Sequence, residues 1–149
     1  MNGVIFVGLQ ASGKSSFYSN HFHKTHLRLS LDMLKTRHRE AILFGACLQS
    51  KQALVIDNTN PTKQSRQVYI QKLKQHKFTV TGYYFSSALE ACLKRNALRK
   101  AKERIPDIGL KGTHAKLELP EYSEGFDQLY YVSLNKSGGF SVQEWNDEI

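Results

Sequence analysis

A glycine-rich segment near the amino terminus constrains the fold more than any other feature of this sequence. Residues 8–15 read Gly-Leu-Gln-Ala-Ser-Gly-Lys-Ser and satisfy the pattern G-x-x-x-x-G-K-[ST] at every specified position. An apolar, β-rich run precedes the segment and a run of helical character follows it. This context predicts a phosphate-binding loop (P-loop), in which backbone N–H groups and a helix amino terminus surround phosphate groups.

The residues of this P-loop have distinct expected roles. Gly8 and Gly13 allow the backbone to approach phosphate oxygens closely. Lys14 is expected to contact the β- and γ-phosphates of a nucleotide, and the Ser15 hydroxyl is expected to bind Mg²⁺. The predicted nucleotide-binding residues of the loop are Gly8, Gln10, Ala11, Ser12, Gly13, Lys14, Ser15 and Ser16.

Short β-rich runs alternate with longer runs of helical period, which predicts an α/β fold: a three-layer sandwich around a mostly parallel, five-stranded sheet. The strands are predicted at residues 3–7, 27–31, 53–57, 78–85 and 128–132. Helices are predicted to begin near Lys14, Asp32, Pro61 and Ala88, the third with Asn60 as its cap. A length of 149 residues favours a single domain, residues 1–149.

Two segments have no clear period. Residues 101–118 contain Pro106, Gly109 and Gly112 among many charges, and we expect a mobile connection there rather than a packed element. The acidic tail, about residues 134–149, is compatible with a flexible terminus or with a last strand over one sheet edge.

The charge of the chain favours a phosphate-rich partner. Its formal net charge is +8; residues 1–116 carry 20 lysines and arginines against 6 acidic residues, and residues 117–149 carry 1 against 7. Such a basic body favours phosphate-rich partners over acidic proteins or neutral metabolites.

The cysteines and the amino terminus limit the remaining classes. Cys47 and Cys92 lack the spacing of a zinc site or a disulfide framework, so buried thiols are expected. The first apolar run is too short to span a membrane and has no basic leader, so we expect a cytoplasmic protein without a membrane partner.

Acidic and polar residues follow the second and third predicted strands, at the edge of the sheet where ligands bind in α/β folds. Asp32 is a candidate general base for a hydroxyl that attacks a phosphate, although an aspartate there could also only cap the helix. Lys35 and Arg39 are predicted to share its helix face, opposite an apolar stripe of Leu34, Ala41, Phe44 and Leu48.

The third strand ends in Asp57-Asn58-Thr59-Asn60-Pro61. Asp57 could hold a water of Mg²⁺ or pair with Lys35, and Asn58 and Thr59 offer hydrogen bonds to a substrate. Turn formation explains the same residues equally well.

The densest charge run lies at residues 94–104, with six cations and one anion. Arg95 and Arg99 are one helical turn apart, where like charges repel, so we expect a bound anion nearby. We predict an arginine-rich lid, about residues 95–118, in which Arg95 and Arg99 neutralise a phosphoryl group during its transfer. The adenine is expected near Arg95 and residues 134–136. The N-K-x-D motif of a GTPase does not occur.

Together these motifs resemble the kinase domain of the polynucleotide 5′-hydroxyl kinases, including enzymes fused to a 3′-phosphatase. The resemblance extends over about residues 1–133. Besides the P-loop, it rests on Ser30-Leu31-Asp32, Asp57-Asn58-Thr59-Asn60-Pro61 followed by Ser65-Arg66, Lys94-Arg95-Asn96 with Arg99, Ile105-Pro106, Gly112 and Glu124-Gly125-Phe126.

The resemblance implies a P-loop kinase that uses ATP and Mg²⁺ to phosphorylate the 5′-hydroxyl end of DNA or RNA, as in nucleic acid repair. It implies that Asp32 is the general base and that Lys14, Ser15 and Arg99 act on phosphates and metal, with Arg95 in the same lid. Lys35, Arg39 and Arg66 are candidates for contacting the acceptor's own phosphate. A kinase for a small metabolite or nucleoside, and an ATP-dependent regulatory or nucleic-acid-binding module, remain as alternatives.

Overall fold

The computed structural model describes residues 1–147 and shows an α/β sandwich built on one sheet. Its strands are β1 (Asn2–Val7), β2 (Leu27–Leu29), β3 (Leu54–Ile56), β4 (Thr79–Phe85), β5 (Gln128–Leu134) and β6 (Phe140–Glu144). They lie in the order β2-β3-β1-β4-β5-β6, of which the first five in this order are parallel and β6 is antiparallel to β5.

Helices connect the parallel strands, as the βαβ pattern requires. They are α1 (Lys14–His21), α2 (Leu31–Leu34), α3 (Arg37–Ser50), α4 (Lys63–Gln75), α5 (Leu89–Ala97) and α6 (Asp107–Lys116), with a 3₁₀ turn at Tyr122–Glu124. Two start signals are local: the Thr36 hydroxyl accepts a hydrogen bond from the Arg39 amide, and Thr62 forms a capping box with Ser65.

The α/β prediction is confirmed, and all five predicted strands are present, but the sheet has a sixth strand. Part of the acidic tail, Phe140–Glu144, pairs with β5 and covers the sheet edge. Of the predicted tail, Glu148 and Ile149 lie outside the described residues. The prediction of a mobile connection over residues 101–118 is wrong in its second half, because Leu110 and Thr113 are buried and anchor α6.

The helix predicted from Asp32 is two helices. It breaks at Lys35, which has a φ of 74° and ends α2, and α3 begins two residues later. Asp32, Lys35 and Arg39 therefore do not share one continuous helix face. In α3 the buried side is formed by Glu40, Phe44, Cys47 and Leu48, whereas Ala41 is exposed.

The predicted cap of the third helix is also wrong. Asn60 does not cap a helix; its side-chain amide donates to the Phe6 carbonyl, and Thr62 caps α4 instead. Pro61 precedes that cap, so the helix begins later than the Asn-Pro pair suggests.

The core lies on both faces of the sheet because successive strand residues point to opposite sides. On one face Val4 and Phe6 pack against Phe17 of α1. On the other, Ile5 and Val7 belong to a cluster with residues of α3 and α4. Both predicted thiols are confirmed as free and buried.

A buried ion pair fixes α4 to the segment before β5. The Arg66 side chain is 0% exposed, and its guanidinium donates to both carboxylate oxygens of Glu124, at 2.8 and 3.1 Å. It also donates to the Asn60 carbonyl at 2.8 Å. The prediction that Arg66 contacts an acceptor phosphate conflicts with this burial, because the guanidinium is enclosed and each of its three nitrogens already donates a hydrogen bond within the protein.

Removing one partner of this pair should destabilise the fold strongly, because the other charge stays buried and unpaired. For Arg66→Met we expect a loss of about 3–5 kcal/mol in the free energy of unfolding. The measurement is equilibrium denaturation in urea.

Lys63 provides the matched control, since it belongs to the same helix and pairs with Glu121 at the surface. Lys63→Met should cost at most about 1 kcal/mol. Equal losses in the two variants would contradict the role assigned to the buried pair.

Candidate functional site

The P-loop lies between the carboxyl end of β1 and α1, as predicted. Its last residue before the helix, Gly13, has a φ of 101°, and a Cβ there would lie 3.1 Å from the Phe140 ring. A Cβ on Gly8 would lie 3.0 Å from both Phe85 Cβ and Ser12 Oγ. A side chain at either position would be tightly packed against these neighbours, and Gly13 in addition has a left-handed backbone that favours glycine.

Neighbouring strands hold the start of the loop. The Gly8 N–H donates to the Thr59 carbonyl after β3, at 3.0 Å, and the Leu9 N–H donates to Ser87 Oγ after β4, at 3.1 Å. The Leu9 side chain is fully buried against Cys92 and Leu110. The P-loop is thus attached to the sheet on both sides and to α5 and α6.

A cleft of about 1040 Å³ opens at this edge of the sheet. In open α/β sheets, ligands bind beyond the carboxyl ends of the strands where the strand order reverses, which here is at β1. Of the predicted nucleotide-binding residues, Gln10, Ala11, Gly13, Lys14, Ser15, Ser16 and Arg95 line the cleft. The other two, Gly8 and Ser12, are buried and do not line the cleft, and the Ser12 hydroxyl donates to the Leu9 carbonyl.

The Lys14 side chain folds back over the start of the P-loop. Its ammonium donates to the carbonyls of Gly8 and Leu9, at 3.0 and 2.6 Å. Burial lowers the pKa of Lys14 from 10.5 to about 8, although Asp57 and Asp32 partly oppose this shift. Negative charge beside the ammonium would restore its pKa, so the site favours an anion.

Ser15 and Asp57 meet through a residue that we did not predict. Arg28 on β2 donates from Nε to Asp57 Oδ2 at 2.7 Å and from Nη2 to Ser15 Oγ at 2.9 Å. Asp57 therefore pairs with Arg28. The pairing with Lys35, which was one interpretation of the sequence, is not observed. Arg28 lies just before the Ser30-Leu31-Asp32 motif, and no pattern in the sequence marks it as a site residue.

Asp32 is exposed and lines the cleft. It belongs to α2, whose first N–H, that of Leu31, donates to Asn58 Oδ1 at 2.9 Å. The Asn58 amide in turn donates to Glu40 at 2.8 Å, and the Tyr69 hydroxyl donates to the same carboxylate at 2.6 Å. Asn58 thus has a positioning role, and its side chain is engaged before any substrate arrives.

The network beneath Asp32 is buried. Glu40 is 4% exposed although it carries a carboxylate. Burial, followed by the hydrogen bond to Glu40, raises the pKa of Tyr69 well above its usual range, so this hydroxyl remains a donor. No local pattern predicts this network, because Glu40 and Tyr69 belong to different helices.

The segment predicted as a lid contacts the P-loop directly. Arg95 Nε donates to the Ala11 carbonyl at 2.6 Å, and Arg99 and Lys102 line the cleft beyond it. The Asn96 side chain bonds both backbone groups of Ile105 and closes the intervening loop. Leu134, Gly138 and Phe140 line the same cleft, next to the region where the adenine was expected.

The remaining predicted substrate residues are divided. Lys35, Asp57, Asn58 and Thr59 line the cleft, but Arg39 does not; its guanidinium donates to the Leu34 carbonyl on the exposed surface. Arg37, which we did not predict, lines the cleft and donates to the Tyr69 hydroxyl.

The donors at the cleft suit a magnesium ion. Ser15 and Asp57 offer oxygen ligands, which hard divalent cations prefer, and Mg²⁺ usually keeps several waters and few protein ligands. Within residues 1–147, no group of three or more His, Cys, Asp and Glu side chains could hold a metal ion. Over the same residues, no helix has the length and apolarity to cross a membrane.

We expect binding of ADP to this cleft to take up protons near pH 8. With its pKa lowered to about 8, Lys14 is partly neutral there, and the phosphates favour its charged form. Calorimetry in two buffers of different ionisation enthalpy should show uptake of about half a proton at pH 8, falling as the pH is lowered to 7.

Lys35→Met is the control, because Lys35 is an exposed cation of the same cleft and should leave the uptake unchanged. Absence of proton uptake at pH 8 in the unmodified protein would show that Lys14 is already fully charged.

The chain is similar to known proteins in sequence and in fold. The chain is 27% identical over 133 residues to a bifunctional polynucleotide phosphatase/kinase of Schizosaccharomyces pombe, covering 87% of this chain. It spans 33% of the length of the curated relatives that it matches.

Solved structures share the fold. Kti12 of Chaetomium thermophilum, in complex with ADP-AlF3, superposes with a TM-score of 0.67 over 91% of this chain and 92% of that one, at 13% identity. A gluconokinase from Sinorhizobium meliloti 1021 gives a TM-score of 0.60 over 91% of this chain and 83% of that one, at 14% identity. The profile of the family described as AAA domain matches residues 4–120. The chain therefore belongs to the AAA domain family and folds as an α/β P-loop protein.

Proposed function

We propose that this chain is an ATP- and Mg²⁺-dependent kinase that transfers the γ-phosphate of ATP to the 5′-hydroxyl end of DNA or RNA. One observation carries the proposal: Asp32, Lys14 and the lid arginines Arg95 and Arg99 line a single cleft. A carboxylate opposite a phosphate cradle, beneath a cationic lid, is the set of groups that phosphoryl transfer to a hydroxyl requires.

Each group has a defined task in this reaction. Lys14 and the P-loop backbone hold the phosphates of ATP, and Arg95 and Arg99 neutralise charge on the phosphoryl group as it moves. The Asp32 carboxylate accepts the proton of the acceptor hydroxyl. The hydroxyl oxygen bonds to the γ-phosphorus as the bond from that phosphorus to the leaving ADP breaks. Asp32 is exposed, so an acceptor can reach it from solvent.

Ser15 and Asp57 are the residues that would hold magnesium, Ser15 directly and Asp57 through water. The ion supplies neutralisation of phosphate charge when bound.

The acceptor side of the cleft favours a polyanion. Lys35 and the 69% exposed Arg37 line it next to Asp32, in a chain of net charge +8. The phosphate after a 5′-terminal nucleoside is the group that such cations bind. The similarity to a polynucleotide phosphatase/kinase supports the same acceptor, whereas the fold alone, which a gluconokinase shares, suits a small hydroxyl compound as well.

The test is transfer of labelled γ-phosphate from ATP to 5′-hydroxyl oligonucleotides of DNA and RNA, beside gluconate and nucleosides. We expect the oligonucleotides to be labelled. Asp32→Asn should lower the rate by about 10²–10⁴-fold, because the amide cannot accept the proton. Glu90→Gln, an exposed carboxyl change on α5 away from the cleft, should keep full activity.

Salt distinguishes the acceptor classes. Binding of an oligonucleotide should weaken steeply between low and moderate salt, because binding releases cations from the phosphates and this release gains less free energy as the salt concentration rises. Labelling of gluconate or a nucleoside alone would replace the polynucleotide assignment with a metabolite kinase. ATP hydrolysis that no acceptor alters would favour a regulatory module, and full activity of Asp32→Asn would remove the assigned base.

A further inference from the structure

Arg28 contacts the predicted metal ligand directly, and neither the sequence motifs nor the comparisons assign it a role. Its Nη2 donates to Ser15 Oγ at 2.9 Å, while its Nε donates to Asp57 Oδ2 at 2.7 Å. One guanidinium thus joins the two side chains that would hold magnesium.

This arginine is fixed in place. The Asp57 side chain is 2% exposed and that of Arg28 is 25% exposed. The guanidinium carbon lies 5.9 Å from the centre of the Tyr18 ring, and the Tyr18 hydroxyl donates to the His26 carbonyl at 2.6 Å. With a carboxylate, a hydroxyl and an aromatic ring around it, Arg28 belongs to the cleft wall and is not a freely moving surface cation.

The position of Arg28 opposes a metal ion at Ser15. Mg²⁺ binds oxygen at about 2.0–2.1 Å, so an ion on Ser15 Oγ and the Nη2 that donates to the same oxygen would lie within roughly 5 Å of each other. Two positive charges at this separation repel. Metal binding must therefore overcome the repulsion or break the hydrogen bond from Arg28 to Ser15.

Arg28 also weakens the attraction of Asp57 for a cation. The carboxylate is already paired with the guanidinium, so less of its negative charge acts on an ion nearby. Repulsion of the ion by Arg28 and pairing of Asp57 with Arg28 both make the free energy of metal binding less favourable, so each lowers the affinity of the site for a divalent cation.

We propose that Arg28 competes with the divalent cation for Ser15 and Asp57, and so determines how far nucleotide binding depends on metal. The proposal rests on the magnesium site of the proposed function but not on the identity of the acceptor. Arg28 is a positioning residue in this scheme, because it acts through Ser15 and Asp57.

The test compares ADP affinity in MgCl₂ with ADP affinity in EDTA, measured by calorimetry without any acceptor. The ratio of the two affinities is the coupling between metal and nucleotide. Arg28→Met keeps an apolar stem and removes the charge, and we expect it to raise the ratio by about tenfold or more. Arg28→Lys keeps the charge and should remain near the unmodified protein.

Arg39→Met is the matched control, since Arg39 is an exposed arginine outside the cleft that donates to the Leu34 carbonyl and not to Ser15. It should leave the ratio unchanged. If thermal melting shows that Arg28→Met is unfolded, Arg28→Gln removes the charge while keeping a donor for Asp57, and the same rise is expected.

A ratio that is unchanged or lowered in the neutral variants would overturn the competition. An equal rise in Arg28→Lys would also overturn it, because charge would not be the cause. Failure of the unmodified protein to bind ADP would remove the magnesium site and this inference together. Failure to phosphorylate an oligonucleotide, with the ADP ratios as expected, would overturn only the proposed acceptor.

Discussion

The attachment of the P-loop to the strands beside β1 is the constraint on which the site depends. Gly8 donates to the carbonyl of Thr59 beyond β3, and Leu9 donates to Ser87 beyond β4. Because β1 lies between these two strands and all three run in parallel, their carboxyl ends reach one edge of the sheet. The same geometry brings Asp32 from beyond β2 to the loop. A different strand order would separate the phosphate cradle from the carboxylate.

Charge in the cleft is arranged so that an anion completes it. The Lys14 ammonium is buried, and because burial removes water from the charged form, its pKa is lowered to about 8. Arg28 is neutralised by Asp57, whereas Arg99 further lowers the pKa of Lys14 by repulsion. Within residues 1–147, the ion pairs that the structure shows include none for Arg95 or Arg99. Phosphate groups would offset the cost of the buried Lys14 ammonium and the positive charge of Arg95 and Arg99, so the free energy gained on binding is partly prepared by the fold.

Local patterns predicted the parts of the molecule that depend on local physics. The P-loop, the five parallel strands and the lid arginines have sequence signals, because glycine geometry, strand hydrophobicity and charge repulsion act over a few residues. Arg66 was misassigned because its partner, Glu124, is 58 residues away. Helix α6 was missed because its glycines and charges hide a buried Leu110 that packs on Leu9. Distant partners of this kind decide whether a polar side chain supports the core or faces a ligand.

The two halves of the cleft differ in how firmly they are held. The P-loop side is attached to the sheet. Helix α2, which carries Asp32, is held by a hydrogen bond to Asn58, and the Asn58 amide donates in turn to the buried Glu40. The acceptor side is exposed: Lys35 ends α2 with a left-handed backbone, and Arg37 begins α3 with its side chain in solvent. Substitutions on an exposed wall cost little stability, whereas substitutions in the buried network leave unpaired polar groups. The acceptor can therefore differ between proteins of this fold without change to the P-loop, and the cations of that wall are the reason for proposing a nucleic acid phosphate as the group bound there.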